Sequence, residues 1–340
     1  MKRILIAGGG LIGARHVQSV KAHRDCILIG LVEPNASVSS DPGVARFSEL
    51  SDVSGQVDGV ILATPTHLHA SQGAYAAMRG WHLLIEKPVA SDIKSAHALL
   101  ETITTSGVRS LVGHHRRYHP SVSALKRLIS EGAIGAPVTA SLIWAMRKPA
   151  SYFEGNWRAR DGSPVMINLV HDIDLLRHVL GDIVATSSLR GAGVRGADRI
   201  ESGAIALAFA SGATGTISFA DTAPSPWGFE AATGENPNIG TTGQDMLWIT
   251  GTKGAISYPS LSLWSGADWS NPAQKISEDC PVLARAPLDA QLDHFVDVID
   301  GAAPLIDVAD ATLTLEVALQ IEQSLAEQSS GDTNARSALA

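Results

Sequence analysis

Gly8, Gly10 and Gly13 stand at G-x-G-x-x-G spacing directly behind the apolar run Arg3–Ala7. Glycines in this pattern serve a tight turn, a close approach of backbone to a pyrophosphate, and a close packing of helix on strand. A helix opening at Leu11 and Ile12 aims its first N–H groups at the phosphates, holding an anion without cationic side chains. The next apolar run, Cys26–Val32, is followed by Glu33. That acid falls ~20 residues beyond the loop, where a carboxylate binds the adenosine ribose hydroxyls. It would repel a 2′-phosphate, so the expected cofactor is NAD; NADP stays open because Arg15 and His16 lie close to the loop.

A second group of reactive residues follows two further apolar runs. Thr64, Pro65 and His69 come after Gly59–Ala63, and Glu86-Lys87-Pro88 after Trp81–Ile85. In an open α/β sheet both would emerge at the carboxyl edge, where ligands bind. A lysine fixed there between an acid and a proline is poorly explained by surface solubility. Downstream, Leu169, Ile173, Leu176 and Leu180 form a helical apolar stripe, with Asn168, His171 and Asp174 on the polar side. On pattern alone, a histidine on such a side is ordinarily just solvated. His114–His119 has metal-ligand residue types, yet Arg116 and Arg117 would repel a cation; a strand-end loop touching cofactor or substrate oxygens is the better reading, and no metal is expected. Tyr152, Trp157 and Arg158, and then Trp227, Glu230, Glu235 and Asn236, lie in loop-like stretches that either line a pocket or are simply exposed.

The elements that must position these groups change character along the chain. Up to Pro120, continuous apolar runs alternate with helical patterns at Leu68–Arg79 and Asp92–Ser106, and Arg109–Gly113 adds a fifth run. This is the signature of a doubly wound parallel sheet, an α/β dinucleotide-binding domain over residues 1–120. A helix at Ser121–Ser130 is then followed by β-rich runs at Pro137–Met146, Ile183–Leu189, Ala204–Phe209, Gly215–Ala220, Met246–Gly251 and Ala255–Tyr258. With few helices between them, they predict an α+β domain over 121–330 built on a large, open, mostly antiparallel sheet. Helices at Leu288–Asp300 and Val308–Glu327 close it, and 331–340 reads as a disordered tail.

Bulk composition narrows the function. The chain has 340 residues, 45% hydrophobic and 18% charged, with a net charge of −8, which gives no electrostatic footprint for nucleic acid or an anionic membrane. Glycines break the first apolar run before it could serve as a leader, and no run approaches the ~20 residues of a membrane span. Cys26 sits in an apolar run and neither it nor Cys280 suggests a disulfide framework or a thiol nucleophile, so a cytoplasmic protein is expected.

Taken together, the Gly8–Gly13 loop, Thr64-Pro65 with His69, Glu86-Lys87-Pro88, Arg116-Arg117-Tyr118 and His171-Asp172-Ile173-Asp174 resemble the Gfo/Idh/MocA family of sugar and polyol dehydrogenases over nearly the whole chain. The resemblance implies hydride transfer between NAD(P) and a secondary alcohol or ketone of a sugar, polyol or sugar acid. It places Lys87 and His171 beside the substrate carbon as an acid–base pair, Lys87 needing a lowered pKa. It also implies that the second-domain sheet makes a homodimer or homotetramer; from their positions in the chain, Thr64, Pro65, His69, Glu86 and Lys87 are expected to help hold the cofactor, and Arg116, Tyr152, Trp157, Arg158 and Asn168, with His171, to meet the substrate. The sequence departs from the family at Ile167, where an aspartate is common four residues before the histidine. Asn168 is the nearest substitute; an amide can bind a hydroxyl or orient the imidazole but cannot share a proton. An NAD-dependent redox-neutral glycosidase and a non-catalytic ligand or cofactor sensor are the alternatives on the same scaffold.

Overall fold

The computed structural model describes residues 1–38, 43–154, 162–196, 199–236, 238–266, 268–277, 281 and 283–328. Trp157, Arg158, Cys280 and the tail at 331–340 lie outside the described residues. The chain divides into two units, one of Met1–Tyr118 with Arg285–Glu316, the other of His119–Ala284 with the residues from Val317 onward. The division after Tyr118 falls beside the expected one at 120, but Arg285–Glu316 joins the first unit rather than the second. Sequence patterns show where helices form, not which sheet they cover.

In the first unit β1 (Lys2–Ala7), α1 (Leu11–Ala22), β2 (Cys26–Val32), β3 (Arg46–Phe47), β4 (Gly59–Leu62), α2 (Thr66–Met78), β5 (His82–Ile85), α3 (Ile93–Ser106) and β6 (Ser110–Val112) alternate along the chain. The strands form a six-stranded sheet in the order β3-β2-β1-β4-β5-β6, every pair parallel. Ile4, Leu5, Ile6, Val60, Ile61, Leu83 and Ile85 are all fully buried, as strands covered by helices on both faces must be. Asp92 starts α3 by accepting a bond from the Ser95 N–H at 2.8 Å, and Gly107 ends it in the left-handed conformation with φ 67°.

The second unit holds α4 (Pro120–Ser130), β7 (Pro137–Ala145), α5 (Val170–Leu180), β8 (Ile183–Arg190), β9 (Ser202–Phe209), β10 (Thr214–Ala220), α6 (Phe229–Thr233), β11 (Leu247–Gly251), β12 (Gly254–Tyr258), β13 (Ser262–Ser265) and β14 (Gln274–Ser277). Its eight strands run β14-β13-β12-β11-β7-β10-β9-β8, antiparallel except where β10 lies parallel to β7. One face packs into a core with α4 and α5 through Leu142, Trp144, Ile205, Leu207 and Ile217. The other presents Ser141, Ala206, Thr216, Trp248 and Trp264 outward. Two closing helices follow, α7 (Pro287–Ile299) in the first unit and α8 (Val308–Glu327), which begins in the first and ends in the second. Among the described residues no helix is long and apolar enough to cross a membrane.

Candidate active site

The turn after β1 has the geometry its glycines predict. Gly8 has φ 96°, and a Cβ on it would stand 2.5 Å from the Ala63 carbonyl oxygen. A Cβ on Gly13 would stand 1.9 Å from the Gly8 carbonyl oxygen, so α1 can lie this close to the loop only without a side chain. At Gly10 a Cβ would meet nothing within 4 Å, and no side chain caps α1. Open space above uncapped N–H groups fits the pyrophosphate of a dinucleotide. Leu11 is exposed and Ile12 half-buried at the same end. Glu33, just beyond β2, accepts the Gly9 N–H at 2.8 Å and the Asn35 N–H at 2.9 Å, which fixes its carboxylate beside the glycine loop.

The ends of β4 and β5 are tied together by buried side chains. His69, 1% exposed, has Nδ1 2.8 Å from the Pro88 carbonyl oxygen and Nε2 2.8 Å from that of Thr64. Burial outweighs both contacts and lowers its pKa; a neutral imidazole carries one N–H, so one carbonyl is served at a time. The brace joins the two segments expected at the sheet's carboxyl edge. Glu86 is turned inward, its Oε1 2.8 Å from Nε2 of the fully buried His16 on α1 and its Oε2 3.3 Å from the Lys87 N–H. Burial pushes the Glu86 carboxyl up, but the bond and charge of His16, with Lys87 and His115, win and hold it at about 2. A Cβ on Gly113 would stand 2.8 Å from Oε2, so backbone closes the other side of the carboxylate. His16 is thereby committed to Glu86 and cannot turn outward to a 2′-phosphate, which removes it as a reason to expect NADP.

The basic segment after β6 forms a 3₁₀ turn at His115–Tyr118 with Arg116 and Arg117 buried. Arg117 donates to the Leu305 carbonyl at 3.0 Å and to Asp310 at 2.8 Å, so it secures the chain leading into α8. Tyr118 Oη lies 2.8 Å from Nδ1 of His294 on α7. No group of His, Cys, Asp or Glu among the described residues has metal-binding geometry.

In the second unit, the helical stripe is buried as expected, but so are His171, Asp172, Asp174 and Arg177: α5 has no solvated face. It is entered through a π-helical turn at Val165–Leu169 that carries Asn168. Asn168 Oδ1 accepts a 2.7 Å bond from Nζ of Lys148, a residue the sequence did not mark. That ammonium sits 4.8 Å from the centre of the Tyr152 ring and 5.4 Å from that of Trp144. The Lys148 N–H donates at 3.0 Å to the carbonyl of Asp221, directly after β10. Burial raises the Asp221 carboxyl although Arg195 pairs with it. Glu201, whose side chain is fully buried, accepts the N–H groups of Val194 and Arg195 at 2.5 and 2.9 Å and lies 3.9 Å from Arg199. These partners are distant in sequence and obey no periodicity, so only residue type could have hinted at them. Glu230 falls in α6 and Glu235 is buried just after it, in a stretch whose glycines and prolines read as loop; Asn236 is half-buried and Trp227 exposed.

Residues 2–114 match the family model described as "Oxidoreductase family, NAD-binding Rossmann fold", and residues 122–257 match the "GFO/IDH/MocA C-terminal domain". The chain is 25% identical over 348 residues to the scyllo-inositol 2-dehydrogenase (NAD(+)) of Bacillus subtilis, covering 95% of this chain and 93% of that protein. An oxidoreductase of Agrobacterium radiobacter, solved with NAD+, L-tartaric acid and magnesium, superposes with a TM-score of 0.79 at 18% identity over 96% of each chain. The WlbA dehydrogenase of Bordetella pertussis, solved with NADH and UDP-GlcNAcA, gives 0.74 at 22% identity over 96% of this chain and 97% of that one.

Proposed function

The chain belongs to the Gfo/Idh/MocA family of NAD-binding oxidoreductases, and from that premise we propose that it moves a hydride between NAD and a secondary alcohol or ketone of a sugar, polyol or sugar acid. The observation that carries this reading is the buried His16–Glu86 clamp, which fixes the Lys87 backbone at the end of β5 in the unit that holds the glycine cradle. The inositol dehydrogenase similarity over nearly the full chain supports a polyhydroxylated substrate.

Gly8, Gly10, Leu11, Ile12 and Gly13 hold the pyrophosphate by backbone, Glu33 takes the adenosine ribose, and Thr64, Pro65 and His69 shape the strand-end edge of the site. Bound NAD supplies the hydride acceptor. Lys87 takes the proton of the reacting hydroxyl and returns it in the reverse direction, with His171 as its partner in acid–base work. Asn168, in place of a carboxylate, positions a substrate oxygen without moving a proton. Arg116 and Tyr152 contribute substrate contacts. The outward face of the second sheet, where Trp248 and Trp264 stand exposed beside the small side chains of Ser141, Ala206 and Thr216, supports assembly into a homodimer or homotetramer.

Assay of inositols, hexoses, hexuronates and aldonates with NAD and NADP tests the reaction. Accumulation of reduced nicotinamide supports a dehydrogenase; sugar release without it supports redox-neutral bond cleavage. Lys87→Met is expected to lower turnover by ~10²–10⁴-fold while NAD affinity is retained. Full turnover by that variant overturns the assignment.

A further inference from the structure

The loop that carries Glu33 is gripped by a side chain that no motif singles out, Arg46. We infer that Arg46 is a positioning residue that determines the preference for NAD over NADP. The inference rests on the reading that the dinucleotide lies on the glycine cradle with Glu33 at its adenosine ribose. Arg46 opens β3, and its guanidinium reaches over the loop that follows β2. Nε donates to the Glu33 carbonyl at 3.1 Å, Nη1 to that of Val38 at 2.8 Å, and Nη2 to that of Asn35. Carbonyls that converge in this way repel one another unless a cation stands among them. A planar fork of donors serves three of them at once, which a compact ammonium does not.

The neighbouring contacts turn this grip into a fixed carboxylate. The Glu33 N–H donates to the Phe47 carbonyl at 2.9 Å, so Arg46 and Phe47 hold Glu33 by both its main-chain polar groups. β3 is itself seated by the Phe47 ring, whose Cε2 would stand 2.5 Å from a Cβ on Gly30. Oε1 and Oε2 of Glu33 each accept a backbone N–H, from Asn35 and Gly9, which sets the plane of the carboxylate before a cofactor arrives. At the far end of the loop Val38 reaches the glycine turn, where a Cβ on Gly9 would stand 2.8 Å from its Cγ1. Residues 34–37 between these ends are exposed, so burial does not hold them, and the guanidinium takes its place. A carboxylate fixed in this way receives the ribose hydroxyls with little ordering cost and cannot swing away from a 2′-phosphate.

Calorimetric titration of the full chain with NAD and with NADP separates this role from two others. The wild type should bind NAD at least ~10²-fold tighter than NADP, because like charges brought together cost heavily. Arg46→Met should weaken NAD ~10-fold, about the worth of one charge-assisted bond, and leave NADP nearly unchanged, so the ratio narrows. Arg46→Lys keeps the charge but serves fewer carbonyls, and should fall between the two. In a Glu33→Ala background, Arg46→Met should cost NAD nothing further, because Arg46 acts through that carboxylate. A ratio that widens in Arg46→Met assigns the guanidinium to the 2′-phosphate itself. Equal weakening of both cofactors, or an undiminished effect in the Glu33→Ala background, makes Arg46 a purely structural tie. Each of these results overturns the inference, as does a wild type without preference. If Glu33→Ala binds NAD as tightly as the wild type, the placement of the ribose fails with it. The expected selectivity without hydride transfer to any substrate sinks the proposed reaction alone.

Discussion

Glu86 and Asp221 are both acids that immediately follow a strand, one in each unit, and both are buried, at 6% and 1% exposure. Their carboxyls are nevertheless driven in opposite directions, Glu86 down to about 2 and Asp221 up. Burial penalises both anions; the partner decides the outcome. His16, fully buried on α1, meets Glu86 from a fixed element, while the Gly113 backbone closes the far side. Arg195 meets Asp221 from the segment between β8 and β9, with 28% of its side chain exposed, so water competes for it. The first unit thus sets its polar centre by backbone and regular elements, and the second by long side chains reaching from connections.

The largest expected effect tests the rigid side of this contrast. His16→Ala leaves the Glu86 carboxylate buried without its main partner, at a cost of ~3–5 kcal/mol. Adding Glu86→Gln should return much of that loss, because a neutral amide no longer needs the imidazole. Thermal melting of the single and double variants checks it, and an unchanged melting temperature in His16→Ala would erase the distinction drawn here. The same clamp should appear in turnover: His16→Ala loosens the backbone at Lys87 and lowers kcat more than it raises KM for NAD.

That contrast also explains what could be read from residues alone. The glycine turn, Glu33 and the Glu86–Pro88 segment are specified locally by backbone demands, so spacing reveals them. Periodicity placed α8 at Val308–Glu327 and the α5 stripe correctly, since amphipathic helices repeat along the chain. It missed β13 and β14, strands of four residues rich in serine and tryptophan or in polar residues, and the five-residue α6. It could not show that α5 buries its polar face as well. The partners of Glu86 and Asn168 lie 70 and 20 residues away, and the assignment of α7 to the first unit depends on a chain that leaves a unit and returns. Tertiary pairing, not local propensity, carries that information.

Acidification should separate the units by sign. The folded value of Glu86 lies below its ordinary 4.5, so its contribution to stability is present above that pH and is lost as pH falls toward 2; the shift corresponds to ~3 kcal/mol. In the second unit Asp221 and Glu322, the latter bonded to Ser163, are raised by burial. A raised acid is most stabilising when protonated, below its ordinary value, and that contribution is lost as pH rises through the folded value. Lowering the pH from 7 toward 4 should therefore increase hydrogen-exchange protection factors in β9 and β10 while those in α1 and β5 hold, falling only under stronger acid. Parallel pH responses in the two sets of strands would contradict the opposed environments.

The smallest effect is expected where the second unit loses its anion. Asp221→Asn keeps the shape and removes a charge that burial already disfavours, so the variant should melt within ~1 kcal/mol of the wild type. Glu86→Gln alone removes a charge that its surroundings favour and should cost more. The Asp221 change should leave its neighbours in place, because Arg195 also donates at 2.7 Å to the Asp221 main-chain carbonyl and keeps that bond whatever the side chain. Arg195 is therefore expected to stay in place, held additionally by Glu201 and by the Phe153 ring 4.5 Å from its guanidinium. If Asp221→Asn instead destabilises as strongly as His16→Ala, the Arg195 pair is as rigid as the histidine clamp, and exposure of the partner does not decide how a buried acid at a strand end is held.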